Sequence, residues 1–168
     1  MMNNQTRKLA LAGVLTAVAV VGGMFSIPIG AAKCSPVQHM VNVIAAVLLG
    51  PWYAVGSAFV ASLLRNLIGT GSLLAFPGSM VGALLAGLLY QRLRRLPAAF
   101  VGEVFGTGIL GAVLSYPIAV GLMGRTAALF AFVPSFLINT VAGSTVAVLV
   151  ICALERTHVL STLRTGLR

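Results

Sequence analysis

Three hydrogen-bonding side chains, Gln38, His39 and Asn42, open an apolar run in the stretch GAAKCSPVQHMVNVIAAVLLG, residues 30–50. Residues three and four positions apart share one face of an α-helix, so Gln38 and Asn42 point the same way and His39 lies beside Asn42. The preceding loop ends at Pro36, and a helix can begin at a proline. We therefore expect a polar site that could bind a small molecule at one end of an apolar helix.

The composition identifies the surroundings of this site as a membrane. Of 168 residues, 59% are hydrophobic and 8% are charged, and the mean hydropathy is +1.05. A soluble domain has about a quarter of its residues charged. The apolar runs extend for roughly fifteen to twenty positions without the alternation of a transmembrane strand. We expect an all-α integral membrane bundle.

Several chemistries are disfavoured by what the sequence lacks. The only lysines, Lys8 and Lys33, do not follow a glycine, so there is no nucleotide-binding P-loop. His39 and His158 are far apart and no HExxH or CxxC pattern occurs, so we expect no metal site and no cofactor. No nucleophile, base and orienting group can be assembled, so we do not expect an enzyme. The basic residues are scattered between apolar runs, which is not typical of nucleic-acid binding.

The hydropathy pattern predicts a single membrane domain over residues 1–168. Its six transmembrane helices are expected at residues 9–25, 36–49, 52–68, 73–89, 98–123 and 130–154. With both termini in the cytoplasm, eight of the 11 basic residues lie inside and three outside. That distribution follows the positive-inside rule, and it places the opening stretch at the outer side.

Four more residues are candidates for this outer site: Phe76, Ser79, Tyr116 and Asn139. Phe76 and Ser79 combine an aromatic ring with a hydroxyl near the outer end of the fourth span, although helix packing explains them equally well. Asn139 is the only amide of the sixth span, and an unpaired amide in hydrocarbon is costly. It must therefore face the bundle interior or a ligand.

Four charged or polar residues are possible additions to the site: Lys33, Arg65, Asn66 and Glu103. Arg65 either contacts the ligand or extends to the membrane interface, and the second interpretation is favoured. Glu103 is the one carboxylate within a span, which makes it a functional candidate. It also lies a little over two turns from the nearest of Arg92, Arg94 and Arg95 and could simply pair with that cluster.

The first span carries small residues at helical spacing: Ala12, Gly13, Thr16 and Ala17. Such stripes allow close helix approach in lipid. Packing inside the bundle and docking of a second protein are equally compatible with this pattern.

Three segments together resemble a known family. They are residues 30–59, GAAKCSPVQHMVNVIAAVLLGPWYAVGSAF, residues 62–90, SLLRNLIGTGSLLAFPGSMVGALLAGLLY, and residues 102–124, GEVFGTGILGAVLSYPIAVGLMG. They are similar to ThiW, the thiazole-specific substrate-binding (S) component of bacterial energy-coupling-factor (ECF) transporters. The resemblance covers about residues 7–155.

This resemblance implies uptake of hydroxyethylthiazole, a precursor of thiamine, across the bacterial plasma membrane. A transmembrane coupling subunit and two ATPase subunits would be the partners. In the wider family the first helix presents small residues to the coupling subunit. The matching residues here are the stripe from Ala12 to Ala17. The ligand site would use the first loop and helices 4 to 6, and a neutral thiazole needs few charged contacts.

Other functions stay open at this point. A self-sufficient small-molecule carrier would transport without a coupling subunit, although no internal repeat is evident. Within the S-component interpretation, the ligand could be thiamine, a pyrimidine precursor or another vitamin. A structural or assembly protein would need no outer pocket.

Overall fold

Six helices form the part of the chain that the structure describes. The computed structural model describes the backbone of residues 3–25, 27–29 and 32–157, and the side chains of residues 3–25 and 35–157. The helices are α1 (Asn4–Gly23), α2 (Pro36–Leu49), α3 (Pro51–Leu67), α4 (Ala75–Leu93), α5 (Leu96–Leu122) and α6 (Val133–Arg156). The predicted all-α architecture with six helices is confirmed.

Proline and glycine set several of the helix boundaries. Pro36 and Pro51 occupy the first positions of α2 and α3, where the missing N–H is not needed. Gly50 connects these helices with a φ of +92°, a conformation that strongly favours glycine. The sequence LLGP therefore specifies a reversal between two helices that lie side by side.

A short antiparallel hairpin lies between α1 and α2. Its strands are β1 (Ile27–Ile29) and β2 (Ala32–Cys34), with Ile27 opposite Cys34 and Pro28 opposite Lys33. The sequence analysis predicted only a loop here, and three-residue strands are too short to show alternation. Pairing satisfies backbone N–H and C=O groups that would otherwise need water.

Helix α5 is not a uniform α-helix. It contains two π-helical segments, Gly106–Gly111 and Ile118–Leu122, on either side of an α-helical segment, Ala112–Pro117. The second π segment directly follows Pro117, whose ring lacks the N–H that an α-helix interior needs. The first π segment was not predicted. It contains Thr107, whose side chain is buried in the bundle, and π segments often occur at functional sites.

Small residues allow the helices to pack closely. A Cβ atom at Gly102 would lie 2.7 Å from the Cα of Ala86, and one at Gly111 would lie 2.5 Å from the Cα of Gly78. Helices α4 and α5 are therefore in backbone contact at two levels, as is typical of membrane bundles. Helix α2 packs against α1, α3, α4 and α6 and forms the centre of the bundle.

The outer surface of the bundle is apolar. Large hydrophobic side chains such as Val14, Phe105, Ile138 and Leu149 are exposed along it. Helices α1, α5 and α6 are long and apolar enough to cross a membrane, whereas α2 is apolar but shorter. This surface is suited to lipid rather than water. The side of the membrane on which the termini lie stays a prediction.

Candidate functional site

A directed chain of hydrogen bonds links α3, α2 and α4 inside the bundle. Arg65 donates through Nη1 to Oε1 of Gln38, and Gln38 donates through Nε2 to Oγ of Ser62 at 3.0 Å. Ser79 donates its only hydroxyl hydrogen to the carbonyl of Ala75 at 2.7 Å, so the 3.1 Å contact between Ser62 and Ser79 has Ser62 as donor. Both ends of the Gln38 amide are thus engaged by the protein.

Arg65 is an interior residue with 4% of its surface exposed. Besides Gln38, it contacts the last turn of α1, where its Nη2 donates to the carbonyl of Gly23 at 3.3 Å. A cation at the carboxyl end of a helix is favourable, because the unpaired carbonyls there carry partial negative charge. The favoured expectation that Arg65 extends to the membrane interface is therefore wrong.

Glu103 lies at the centre of a second polar cluster between α5 and α2. Its Oε1 is 2.9 Å from Nδ1 of His39, 3.0 Å from Nδ2 of Asn42 and 3.0 Å from Oγ1 of Thr107. All four side chains are buried, and Glu103 has no exposed surface. Pairing of Glu103 with the basic cluster Arg92–Arg95 is excluded, because these contacts point its carboxylate into the bundle.

The orientation of the Asn42 amide follows from its second contact. Nδ2 is 3.1 Å from the backbone carbonyl of Ser79, which can only accept a hydrogen bond. The nitrogen must therefore face Ser79, and its other hydrogen points to Glu103. Both hydrogens of the Asn42 amide are thus used in joining α2 to α4 and α5.

A cavity of about 60 Å³ lies beside these two clusters, where α2, α3, α4 and α6 meet the connection between α3 and α4. Five of the residues singled out in the sequence line it, namely Gln38, His39, Arg65, Ser79 and Asn139. The other lining residues are Ser35, Thr70, Gly71, Ser72, Leu74, Ala75 and Phe136.

The remaining candidates lie elsewhere. Asn42 and Glu103 are behind the cavity wall. Phe76 packs against Phe59 with ring centroids 5.7 Å apart, and Tyr116 is half-buried away from the cavity.

Asn66 donates through Nδ2 to the carbonyls of Ser62 and Ser72, at 2.8 and 3.1 Å, and so holds the connection between α3 and α4 against α3. The side chain of Lys33 lies outside the described residues.

Phe136 supplies the aromatic surface of the cavity, and the sequence analysis did not identify it. It lies three positions before Asn139 on α6, a spacing that puts both on one face. That spacing was the only available signal. Ser35 was also missed, although its backbone N–H donates to Oδ1 of Asn139 at 2.6 Å. Because this contact joins residues 104 positions apart, local sequence patterns do not show it.

An open apolar groove of about 610 Å³ runs between α1 and α3. Thr16 donates its hydroxyl to the carbonyl of Ala12 at 2.8 Å, which removes a polar group from the groove surface. Nothing lies within 4 Å of a Cβ atom built at Gly13 or Gly56. All four small residues of the stripe, Ala12, Gly13, Thr16 and Ala17, line this groove.

Comparison with solved structures shows a shared fold. The chain is similar to the protein of "Structure and mechanism of the S component of a bacterial ECF transporter", with a TM-score of 0.76 and 20% sequence identity. The similarity covers 91% of this chain and 98% of the other. A search of curated proteins found no significant match.

The sequence itself matches a family described as "Thiamine-precursor transporter protein (ThiW)" over residues 9–157. This range includes all six helices apart from the first residues of α1. The match confirms the family resemblance and the expectation of a membrane transporter rather than an enzyme. The chain belongs to the ThiW family of thiamine-precursor transporters.

Proposed function

We propose that the protein is the substrate-capture component of an ECF-type importer and that it binds hydroxyethylthiazole in the cavity between α2, α3, α4 and α6. The observation that carries this proposal is the lining of the cavity. One aromatic ring, Phe136, stands with the imidazole of His39, the amide of Asn139 and several hydroxyl groups. A heteroaromatic ring can stack on Phe136, and an alcohol attached to that ring can hydrogen-bond to the polar groups.

The charges of the cavity favour a neutral ligand. Arg65 is part of its wall, and neither of the two acidic residues of the chain lines it. Thiamine carries a positive charge on its thiazolium ring, which a buried guanidinium would repel at low dielectric. A neutral thiazole alcohol meets no such repulsion. This argument disfavours intact thiamine as the substrate.

The size of the cavity implies that binding requires an opening movement. Benzene occupies an engineered protein cavity of about 150 Å³, and hydroxyethylthiazole is larger than benzene. The 60 Å³ observed here corresponds to a closed state. The connection between α3 and α4 is held by the N–H groups of Thr70 and Gly71, which donate to the carbonyl of Arg65 at 2.9 and 2.8 Å. We infer that these contacts loosen when the ligand enters.

The groove between α1 and α3 is the proposed contact with the transmembrane coupling subunit. Its floor is apolar and bears glycine at positions 13 and 56, so a helix of the partner can approach the backbone closely. Two ATPase subunits would then supply the energy, since the chain has no P-loop. In this arrangement both termini are cytoplasmic, and the cavity opens to the outer side of the plasma membrane.

Uptake by cells tests the partnership. In a host unable to make the thiazole, growth on hydroxyethylthiazole should require this protein together with a coupling subunit and its ATPases. Uptake by this chain alone would instead support a self-sufficient carrier. In that case Glu103→Gln should abolish transport, because Glu103 is the one carboxylate inside the bundle.

A further inference from the structure

His39 occupies the boundary between the buried Glu103 cluster and the cavity. Its Nδ1 is 2.9 Å from Oε1 of Glu103, which does not line the cavity, whereas His39 itself does. In an imidazole ring the two nitrogens point in diverging directions, so Nε2 is turned away from Glu103. Within residues 3–25 and 35–157 Nε2 has no hydrogen-bond partner. It is the imidazole atom available to a ligand.

The position of the imidazole hydrogen follows from the contacts around Oε1 of Glu103. Asn42 donates to this oxygen through an amide whose orientation is fixed by the carbonyl of Ser79. An imidazole is a stronger base than a carboxylate, so a hydrogen shared between Nδ1 and Oε1 resides on the nitrogen. The short contact is therefore an Nδ1–H donating to a carboxylate oxygen.

The charge of the interior decides whether Nε2 also carries a hydrogen. Arg65 and His39 both line the small cavity, and neither of the two acidic residues of the chain does. A protonated His39 would place a second cation on the cavity wall that already holds Arg65, whereas a neutral ring avoids that repulsion. Uncompensated charge is strongly unfavourable inside a membrane protein. With Nδ1 protonated and the ring neutral, Nε2 bears a lone pair.

We propose that Glu103 is a positioning residue that fixes His39 as the Nδ1–H tautomer, so that Nε2 accepts a hydrogen bond from the hydroxyl group of the ligand. This deepens the proposed function and rests on it. The site then recognises an alcohol by its hydrogen, so it selects ligands with a hydrogen-bond donor on the side chain. The Glu103 cluster thereby determines specificity without touching the ligand.

A pair of ligands differing in one hydrogen tests this assignment. Hydroxyethylthiazole can donate to Nε2, whereas its O-methyl ether can only accept. We expect the ether to bind roughly tenfold or more weakly, because a buried acceptor loses its partner. Hydroxyethylthiazole extended by one methylene, which keeps the hydroxyl hydrogen, controls for size. Equal affinity for the alcohol and the ether would overturn the inference. Absence of binding by the alcohol would overturn the proposed function instead.

Nitrogen NMR reads the tautomer without any ligand. The chain has two histidines, so a His158→Ala protein labelled with ¹⁵N-histidine and freed of any histidine tag reports on His39 alone. We expect a protonated Nδ1 and an unprotonated Nε2. A hydrogen on Nε2, in either the other tautomer or the cation, would overturn the inference whatever the binding results.

Substitutions of Glu103 separate positioning from structural support. Glu103→Met removes the acceptor for Nδ1–H, so Nε2 gains a hydrogen and the preference for alcohol over ether should fall to about one. Glu103→Gln keeps an amide oxygen in the place of Oε1 and should retain most of the preference. Glu155→Gln, at the exposed end of α6, is the matched control and should behave as the unmodified protein. An unchanged preference in folded Glu103→Met would contradict the proposal. If that variant does not fold, the NMR and ligand-pair measurements on the unmodified site still decide.

Discussion

Some polar residues in this bundle line the cavity, and others only join helices. Sequence reasoning found both kinds, because any amide, imidazole or carboxylate in an apolar span is conspicuous. It could not separate them. Gln38 and Asn42 share a helix face and both join α2 to neighbouring helices, yet Gln38 also lines the cavity and Asn42 does not. The difference depends on which helix stands opposite, and local spacing does not contain that information.

Two amides can be exchanged for leucine to show this division. Asn42→Leu should lower the free energy of unfolding by about 1–3 kcal/mol, because Glu103 and the carbonyl of Ser79 each lose a buried partner. Thermal unfolding in detergent would measure this loss of stability.

Asn139→Leu should weaken binding of hydroxyethylthiazole by about 1–3 kcal/mol, since Asn139 lines the cavity. Equal ligand affinity in the Asn139 variant and the unmodified protein would remove Asn139 from the site.

The aromatic contact provides a second prediction with a matched control. Phe136→Leu should weaken ligand binding by about 0.5–1.5 kcal/mol, because the proposed stacking surface for the thiazole is lost. Phe76→Leu should leave binding unchanged, since that ring packs on Phe59 instead. Calorimetry on both variants compares them directly. The reverse ranking would mean that Phe76 is the ligand contact and that the cavity is misassigned.

Elements were easier to predict than contacts. Long apolar runs and the GP dipeptide at residues 50–51 predicted six helices, because hydrophobic length and proline act locally. The β1–β2 hairpin and the π segment Gly106–Gly111 were not predicted. Both depend on how the backbone fits its neighbours, and a π segment has no periodicity of its own over six residues.

The close contact between α4 and α5 leads to a prediction at this scale. A Cβ atom at Gly111 would collide with the backbone of α4 at Gly78, so Gly111→Ala should destabilise the protein by about 1–3 kcal/mol. Gly121, on the same helix, has open space around the added atom. Gly121→Ala should therefore be neutral or slightly stabilising, since alanine is the better helix former. Similar melting temperatures for the two variants would argue against backbone contact at Gly111.

As a whole, the molecule separates two surfaces that a capture subunit needs. The cavity lies among α2, α3, α4 and α6, whereas the groove lies between α1 and α3 on the outside. Arg65 lines the cavity and bonds to the end of α1 at Gly23, a residue outside the groove lining. Among the described residues, none lines both the cavity and the groove, so ligand capture and partner docking should be separable by substitution.

Filling the groove tests that separation. Gly13→Leu should leave ligand binding and stability unchanged, because nothing lies within 4 Å of the new Cβ atom. It should abolish copurification with the coupling subunit and stop uptake, since the partner helix can no longer approach the backbone. Gly121→Leu, exposed elsewhere on the bundle, is the control and should retain both. Normal uptake by Gly13→Leu would place the docking surface elsewhere.

The most direct test of the whole account is equilibrium binding of hydroxyethylthiazole to the purified, detergent-solubilised protein by calorimetry. Thiamine and the hydroxymethylpyrimidine precursor serve as competitors. The account predicts tight one-to-one binding of the thiazole, and no displacement by thiamine because its positive charge opposes Arg65. Binding of thiamine in preference to the thiazole, or of neither by protein shown to be folded, would contradict the claim that this cavity captures the thiazole.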